Sequence, residues 1–476
     1  MEKIGIIGAG ISGQAIVKAY EKELDNKNFS IDVYDYEYSF GKGYPFRKDS
    51  SHVLVNTKIE NTSNDLDNIK DFKNWLKEKG FTYEDYAPRY IYGQYGKERL
   101  IKVLEKLNSS YYLEEVLDIR NNKENNKWII YTESSSREYD RIYLACGEFS
   151  QKDYYNLLDT PRHINDIYPL EESLKDIDKD HIVTIIGTSL SSLDLARFLI
   201  KEKKIKKIYM FSRSNVFPNI RKDRPSLELK YFTKDNLLYL FGKSKELGFE
   251  DLDRLLSLEL EYLNIKPEKM VEKYSQGINS LSLSLDEDIS LEKSQSLFYY
   301  ITHNLNLAWY RLKNEDKEKF LNKYESFIKT FESPIPPSTG KIIENGYKEN
   351  IIEVLEKVEK IDYSDSKYNI YSDKEKVLAQ SDWVINATGL NLKIEEGVIS
   401  NPLIEKLLKS GYVKAHRVSG LEAKPPKFNL IDQNGRELNN LHANGTLISG
   451  VQLRNNSILE IQRTRRMQVK EIYKNT

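Results

Sequence analysis

The sequence predicts an α/β fold built from two parallel-sheet units and a helical stretch. Three observations carry that prediction. A strand–turn–helix–strand unit opens the chain over Met1–Tyr36. A second runs from His181 to Phe211. Over 225–330 strand signals give way to helical periodicity, as in DLDRLLSLELEYL and DKEKFLNKYESFI.

Taken in order, Lys3–Ile7 is a short apolar strand whose run IGII suits burial on both faces. Gly8–Gly13 is a glycine-rich turn, Ser12–Leu24 has helical spacing, and Ile31–Asp35 is a second strand ending in an acid. Asp71–Lys79 and Gly96–Leu107 are amphipathic helices. Trp128–Thr132 and Arg141–Ala145 are strands, the second ending in the small residues of LACG. The second unit has strand His181–Ile186, turn Gly187–Ser192, helix Leu193–Lys201 and strand Ile208–Phe211. SPIPPSTG at 333–340 punctuates the end of the helical stretch. Strand signals return at Val384–Ala387 and Thr446–Ser449, and a last helix starts near Ser457.

Composition bounds the rest. At ~100–200 residues per domain, 476 residues make two to four domains. A hydrophobic fraction of 39% fills ordinary cores, while a mean hydropathy of −0.61 reflects a surface rich in Lys, Asn and Glu. With 72 Lys+Arg against 73 Asp+Glu, no field gathers nucleic acid or an anionic membrane. The single cysteine, Cys146, excludes an internal disulfide, a CxxC pair and a Cys-based zinc site, and fits a reducing cytoplasm. Six scattered histidines show no HxxxH or HExxH spacing, so no metal is expected. No apolar run nears the ~20 residues of a membrane helix. MEKIGIIGAG lacks a signal-peptide core, so the expected location is the cytoplasm. The 33 tyrosines read as compositional bias.

The sharpest chemistry lies in Gly8-Ala9-Gly10-Ile11-Ser12-Gly13. Gly8 permits the tight turn, Gly10 lets backbone approach a diphosphate, and Gly13 allows close helix–strand packing. The N–H groups at the start of the helix, Ile11 and Ser12 among them, then face the phosphates. Asp35 at the next strand end would hold a ribose hydroxyl. The second turn is degenerate: Gly187 remains, with Ser189 and Ser192 at the later glycine positions. Serine is small enough for close approach and its hydroxyl can bond phosphate. The following strand ends in Ser212-Arg213 instead of an acid, which accommodates a 2′-phosphate and favours NADPH over NADH. Two dinucleotide sites in one chain point to FAD held in one and a nicotinamide cofactor received by the other. LACG, ending at Gly147, and NATG, ending at Gly389, share an Ala–x–Gly core. Each resembles the small-residue crossing segment of two-dinucleotide flavoproteins.

The motif order GxGxxG, ACG, GTSLSS, ATG resembles that of bacterial FAD/NAD(P)-binding proteins of the flavin-dependent monooxygenase-like superfamily. The likeness extends to FGKGYPF at 40–46, HVLVNT at 52–57, PRYIYGQY at 88–95 and the helical stretch at 304–327. ESPIPPSTG departs from the Arg/His-rich stretch that family members often carry before the proline pair. The resemblance implies that Gly41, Gly43 and Asn56 lie along FAD. It also implies that Arg89 and Tyr92 contact the flavin or substrate, Arg89 and Asn56 being the catalytic candidates. By the same likeness ISGVQLRNNS, with Gly450 and Ser457, brings helix N–H groups toward the flavin.

These readings define two Rossmann-like dinucleotide-binding domains: an FAD domain from 1–155 and 380–476, and a NAD(P) domain from 156–224 and 331–379. A helical insertion occupies 225–330. The expected function is an NADPH-dependent FAD oxidoreductase, specifically a monooxygenase. It would oxygenate a small molecule, with an amine or amino acid preferred by analogy, through O2 and a flavin C4a-hydroperoxide. Cofactor-borne chemistry explains why no catalytic dyad is visible. Two alternatives stay open: an NAD(P)H oxidase or electron-transfer reductase, and a non-enzymatic flavin-binding protein. The partners expected are a small substrate and O2, with no nucleic acid and no membrane, and a homo-oligomer is left open.

Overall fold

Strand β1 (Glu2–Ile7) is buried over Ile4–Ile7, and the turn after it leads into helix α1 (Ile11–Glu23) and strand β2 (Phe29–Tyr34). A computed structural model describes residues 1–24, 28–147, 151–223, 225–243, 247–394, 401–453 and 457–474. Helices α2 (Asp71–Glu78) and α3 (Arg89–Lys106) follow, then β3 (Ser110–Tyr112). An antiparallel meander comes next, made of β4 (Asp118–Asn122), β5 (Lys127–Tyr131) and β6 (Ser136–Tyr139). Strand β7 (Arg141–Leu144) returns beside β1.

The next segment begins with β8 (His163–Ile164), α4 (Leu170–Ser173), β9 (Ile182–Ile186), α5 (Leu190–Phe198) and β10 (Lys207–Phe211). Helices follow: α6 (Lys234–Lys243), α7 (Phe249–Tyr262), α8 (Pro267–Tyr274), α9 (Asn279–Leu285), α10 (Ile289–Trp309), α11 (Asn314–Phe331) and α12 (Pro337–Lys348). Then come β11 (Ile352–Val354), the meander β12 (Val358–Ser364), β13 (Lys367–Ser372) and β14 (Val377–Ser381), and β15 (Trp383–Asn386). The chain ends with α13 (Pro402–Lys409), β16 (Ala423–Lys424), β17 (Asn429–Ile431), β18 (Glu437–Ala443) and α14 (Ile458–Ile472).

These elements form two units. One comprises Met1–Asp49, Thr57–Ser150 and Asn391–Thr476; the other comprises Ser50–Asn56 and Gln151–Leu390. The first is built on a sheet of order β16-β17-β18-β7-β1-β2-β3, parallel from β18 to β3. Its core joins Ile4, Ile6, Ile16, Val17, Val33 and Tyr143, and α14 packs along α1 through Val469. The second is built on a wholly parallel sheet of order β11-β10-β9-β15-β8. Val183, Ile185, Leu193, Leu195, Ile208 and Ile385 fill its core. In both, an interior strand, β1 in the first and β9 in the second, has a glycine turn at its carboxyl end, where parallel sheets bind ligands. No helix among the described residues is long and apolar enough to cross a membrane.

Several elements differ from the sequence expectation. Strand β15 lies between β9 and β8 in the second sheet and the chain changes unit after Leu390, whereas the sequence reading places the change at 380. Thr446–Ser449 is not a strand: Gly445–Ile448 forms a 3-10 turn, and the strand is the preceding Glu437–Ala443. Helix α3 begins at Arg89, seven residues before Gly96, because Gly93 and Gly96 serve packing. A Cβ on Gly93 would lie 2.1 Å from the Phe46 carbonyl oxygen. SPIPPSTG does end the helical stretch, and its third proline, Pro337, also starts α12 at a position where no N–H is needed. Helices α6–α11 fall where the periodicity places them. In this region Glu259, fully buried on α7, accepts from the backbone N–H groups of Lys230, Tyr231 and Phe232.

Candidate functional site

The turn after β1 is shaped by what a side chain would hit. Gly8 has φ +102°, and a Cβ there would fall 2.4 Å from the Ala145 carbonyl oxygen. A Cβ on Gly13 would fall 2.0 Å from the Gly8 oxygen, so α1 starts hard against the strand. Gly10 caps α1 without any side-chain bond, leaving the N–H groups of Ile11, Ser12 and Gly13 to a ligand. The loop Phe40–Phe46 folds over this end. Cβ atoms on Gly10 and Gly43 would each lie 3.0–3.3 Å from the other's Cα, so the crest is bare backbone.

Asp35 ties the turn together. Its Oδ2 accepts from the Ala9 N–H at 2.7 Å, and its Oδ1 accepts from the Tyr36 N–H at 2.8 Å and Ser39 Oγ at 2.6 Å. Burial pushes its carboxyl above the ordinary value, against these three bonds, which favour the charged form. Oδ2 keeps a lone pair for one more donor, as a ribose hydroxyl requires.

Behind the loop, Gln14 donates to the carbonyls of Gly41 at 3.0 Å and Ala9 at 3.3 Å, and accepts from Asn64 Nδ2 at 2.6 Å. Tyr92 donates to Asn64 Oδ1. Tyr92 is fully buried among Phe46, Phe72 and Tyr95, which makes it a support of the loop and corrects its expected role at a substrate. Tyr95 donates to Asp71, which Arg99 grips at 2.7 and 2.9 Å. Burial alone would raise the Asp71 carboxyl, and the bonds from Arg99 and Tyr95 hold it below the usual range. Arg89 is half-buried at the first position of α3. Asn56 is half-buried in the short Ser50–Asn56 segment of the other unit.

On the other side of the turn β7 ends in Ala145-Cys146-Gly147. Gly147 has φ +63°, and a Cβ there would contact Thr446 Oγ1 at 3.6 Å. Gly445 approaches Ser12 so closely that a Cβ would lie 2.6 Å from its Oγ. Between them stands Asn444, whose N–H donates to the Leu144 carbonyl; its amide is fully buried and neither amide atom has a partner. Sequence reasoning passed over Asn444; its only signal is a polar residue directly after a buried strand. Gly450 answers to packing within its unit: a Cβ would strike His416 Nδ1 at 2.0 Å, and its N–H donates to the Ser419 carbonyl. Ser457 precedes α14 as an N-cap with no side-chain cap bond. The intervening 454–456, part of the expected flavin-facing stretch, lie outside the described residues. Of the arginines that follow, Arg465 is buried against Phe428 and Arg466 pairs with Glu23 and Asp67.

The second turn repeats the backbone and changes the chemistry. Gly187 has φ +130°, and a Cβ there would lie 2.5 Å from Ser192 Oγ and 2.6 Å from the Ala387 oxygen. Ser189 caps α5 with no side-chain bond, so that helix end is open as well. Ser192 is fully buried and its hydroxyl donates to the Ala387 carbonyl at 3.2 Å. It fastens the turn to the end of β15, which corrects the expectation that it bonds phosphate. Thr388 donates through its N–H and its Oγ1 to Asn386 Oδ1, and Gly389 follows with φ +87° and open space around it. Arg213 is exposed just past β10, its guanidinium 5.6 Å from the centre of the exposed Tyr154 ring. A cation free to reach solvent at that strand end suits a 2′-phosphate.

The bare crest, the uncapped helix ends, the spare lone pair on Asp35 and the orphan amide of Asn444 suit dinucleotides. Fold and turns together define a flavoprotein architecture with two dinucleotide-binding folds. Residues 5–149 match the model of a family described as FAD-NAD(P)-binding. Three solved structures share the fold end to end. One is an ornithine N-hydroxylase of Kutzneria sp. 744, in a complex with FAD, NADP+ and L-ornithine, with TM-score 0.58 and 12% identity over 100% of this chain and 99% of that one. Another is the ornithine hydroxylase of Pseudomonas aeruginosa, with TM-score 0.61 and 13% identity over 99% of each chain. The third is the L-lysine 6-monooxygenase of Pseudomonas syringae, with TM-score 0.61 and 11% identity over 100% and 99%. At these identities the likeness is one of fold. No curated protein matches the chain in sequence.

Proposed function

We propose that the protein is an NADPH-dependent FAD monooxygenase that oxygenates the nitrogen of a small amine or amino acid. One observation carries the reading: the whole chain, helices α6–α11 included, follows the fold of ornithine and lysine hydroxylases while keeping an open helix end at each glycine turn. FAD, once reduced by NADPH, supplies the activation of O2. The chain's own residues bind and orient. The Ile11, Ser12 and Gly13 N–H groups take the diphosphate of FAD, and Asp35 takes its ribose. Asn444 offers a donor and an acceptor at the carboxyl end of β18. In the second unit the start of α5 takes the diphosphate of NADPH and Arg213 takes the 2′-phosphate. In this reading the unit of Met1–Asp49, Thr57–Ser150 and Asn391–Thr476 serves as the FAD domain and the unit of Ser50–Asn56 and Gln151–Leu390 as the nicotinamide domain, with 225–330 contributing to the choice of substrate. The lone cysteine and the need for reduced nicotinamide support a cytoplasmic location.

The test is direct. Protein purified with FAD should be yellow, bleach under anaerobic NADPH, and on aeration convert one amine or amino acid of a screened set to its hydroxylamine with matched NADPH consumption. Rapid peroxide release with every substrate would replace the monooxygenase by an oxidase. Failure to bleach with either nicotinamide would leave a flavin-binding protein. Failure to take up FAD would end the reading.

A further inference from the structure

We propose that Lys42 and Lys97 are the cationic partners of the FAD diphosphate and set the preference for the dinucleotide over riboflavin, an inference that rests on the FAD site described above. Lys42 lies between the two glycines of the Phe40–Phe46 loop. On one side Gly43 meets Gly10 at the crest of the phosphate turn. On the other, a Cβ on Gly41 would fall 2.5 Å from the Lys97 Cα, so the loop rests directly on α3 at Lys97. Lys42 therefore sits on the loop that abuts the start of α1, with the stem of Lys97 against the same loop, and at that helix start the Ile11, Ser12 and Gly13 N–H groups already present positive partial charge.

Neither lysine pairs with a carboxylate among the described residues, and both are half-buried. The acids nearby are taken. Asp35 accepts from Ala9, Tyr36 and Ser39. Glu98, next to Lys97 in sequence, pairs with Lys79 at 2.8 Å and Lys102 at 2.9 Å. Asp71 is held by Arg99. Lys97 has the Phe40 ring, 5.9 Å from its Nζ to the centroid. Burial, together with the charge of Lys97, holds the Lys42 ammonium below its ordinary value. Two partly desolvated cations beside one another, at the positive end of a helix and without a counter-charge, are unfavourable for the chain alone. A diphosphate brings two negative charges to that spot and removes the conflict.

The experiment titrates the apoprotein with FAD and with riboflavin, by quenching of flavin fluorescence, over a range of salt concentrations. Lys42→Gln and Lys97→Gln should each weaken FAD binding tenfold or more, flatten its salt dependence, and leave riboflavin binding as in the wild type. Lys42→Arg should retain most of the affinity. A second readout guards against misfolding. Each glutamine variant should melt no lower than the wild type without FAD, because a repulsion has been removed, and lower than the wild type with FAD. Equal losses for FAD and riboflavin, an unchanged salt dependence, or a lower melting temperature without ligand would overturn the assignment. A wild-type protein that binds no FAD at all would instead sink the FAD reading itself.

Discussion

At the scale of single residues, the second turn is where the proposed NADPH preference is decided. Arg213 is exposed beside Tyr154 at the end of β10, with no acid at that strand end to select a ribose 2′-hydroxyl. Arg213→Ala should raise the KM for NADPH about tenfold or more, the range of one lost charge-assisted bond, and leave the KM for NADH within about twofold. Steady-state kinetics with both cofactors decides it, and equal losses would remove Arg213 from the site. Gly43 gives a second residue-level prediction. Its φ of +69° and its contact with Gly10 leave no room for a methyl group. Gly43→Ala should weaken FAD binding at least tenfold by calorimetry, since a positive φ with ψ 179° is essentially confined to glycine and costs another residue roughly 1–3 kcal/mol. The turn geometry of Gly8 and Gly13 was legible in the sequence because it is local: a strand, a tight turn and a helix start lie within a few residues. Ser192 was legible as small and misread as a phosphate ligand, because its partner, Ala387, is 195 residues away. The packing of Gly450 against His416 and Ser419, on a separate loop, carried no signal in the sequence for the same reason. Asn444 and the lysine pair carried no signal, since an orphan amide or an unpaired charge exists only once the chain is folded.

At the scale of elements, the helical stretch is pinned by two carboxylates, the half-buried Asp288 and the fully buried Glu259. Asp288 caps α10, accepting from the Ser290 and Leu291 N–H groups, and also accepts from Lys273 Nζ at 2.6 Å and from the Tyr274 hydroxyl. Burial would raise its carboxyl, but Lys273, Tyr274 and the two N–H groups outweigh it and hold it down to about 2. A carboxyl depressed in the folded state stabilises fully above its unfolded value near 4 and loses that contribution as pH falls toward 2. Asp288→Asn should therefore lower stability by about 1–2 kcal/mol at pH 6, and the difference from wild type should shrink to a fraction of that by about pH 2, through the folded value. Denaturant unfolding at both pH values measures this; a constant difference would refute it. Glu259 supports the segment before α6. Glu259→Ala leaves the fully buried Phe232 N–H and the half-buried Tyr231 N–H without their acceptor and should cost about 2–3 kcal/mol, while Glu259→Gln, which keeps one acceptor, should cost less. At this scale long periodic helices such as α10 and α11 were readable, and short strands were not. The β12–β13–β14 meander is half-exposed and polar, so its alternation is faint, and β15 shows its place only by pairing with β9. The tyrosines also change meaning at this scale. Tyr20, Tyr34, Tyr92, Tyr139 and Tyr143 are fully buried, and Tyr20 bonds both Tyr143 and Tyr473 at 2.9 Å, joining α1, β7 and the end of α14. What read as compositional bias is a set of core residues that carry hydroxyl bonds inside the first unit.

At the scale of the molecule, each unit has its own parallel sheet, its own core and its own open helix end, and the chain enters the first unit three times. Two separately built sites should respond to two ligands separately. A ligand at 100 times its Kd stabilises the structure that binds it by about 2.7 kcal/mol, and the gain falls on the local openings that binding blocks. Hydrogen exchange should therefore slow on adding FAD at residues 8–14, 40–43, 144–147 and 441–446, and leave 187–193 unchanged. Adding NADP+ should slow 187–193 and 211–214 and leave 8–14 unchanged. Gly10→Val should abolish only the first response and Gly187→Val only the second. If NADP+ instead protects 8–14, or if FAD protects the second turn as strongly as the first, the assignment of one dinucleotide to each unit is wrong. The two glycine turns would then have to be reassigned from the exchange pattern.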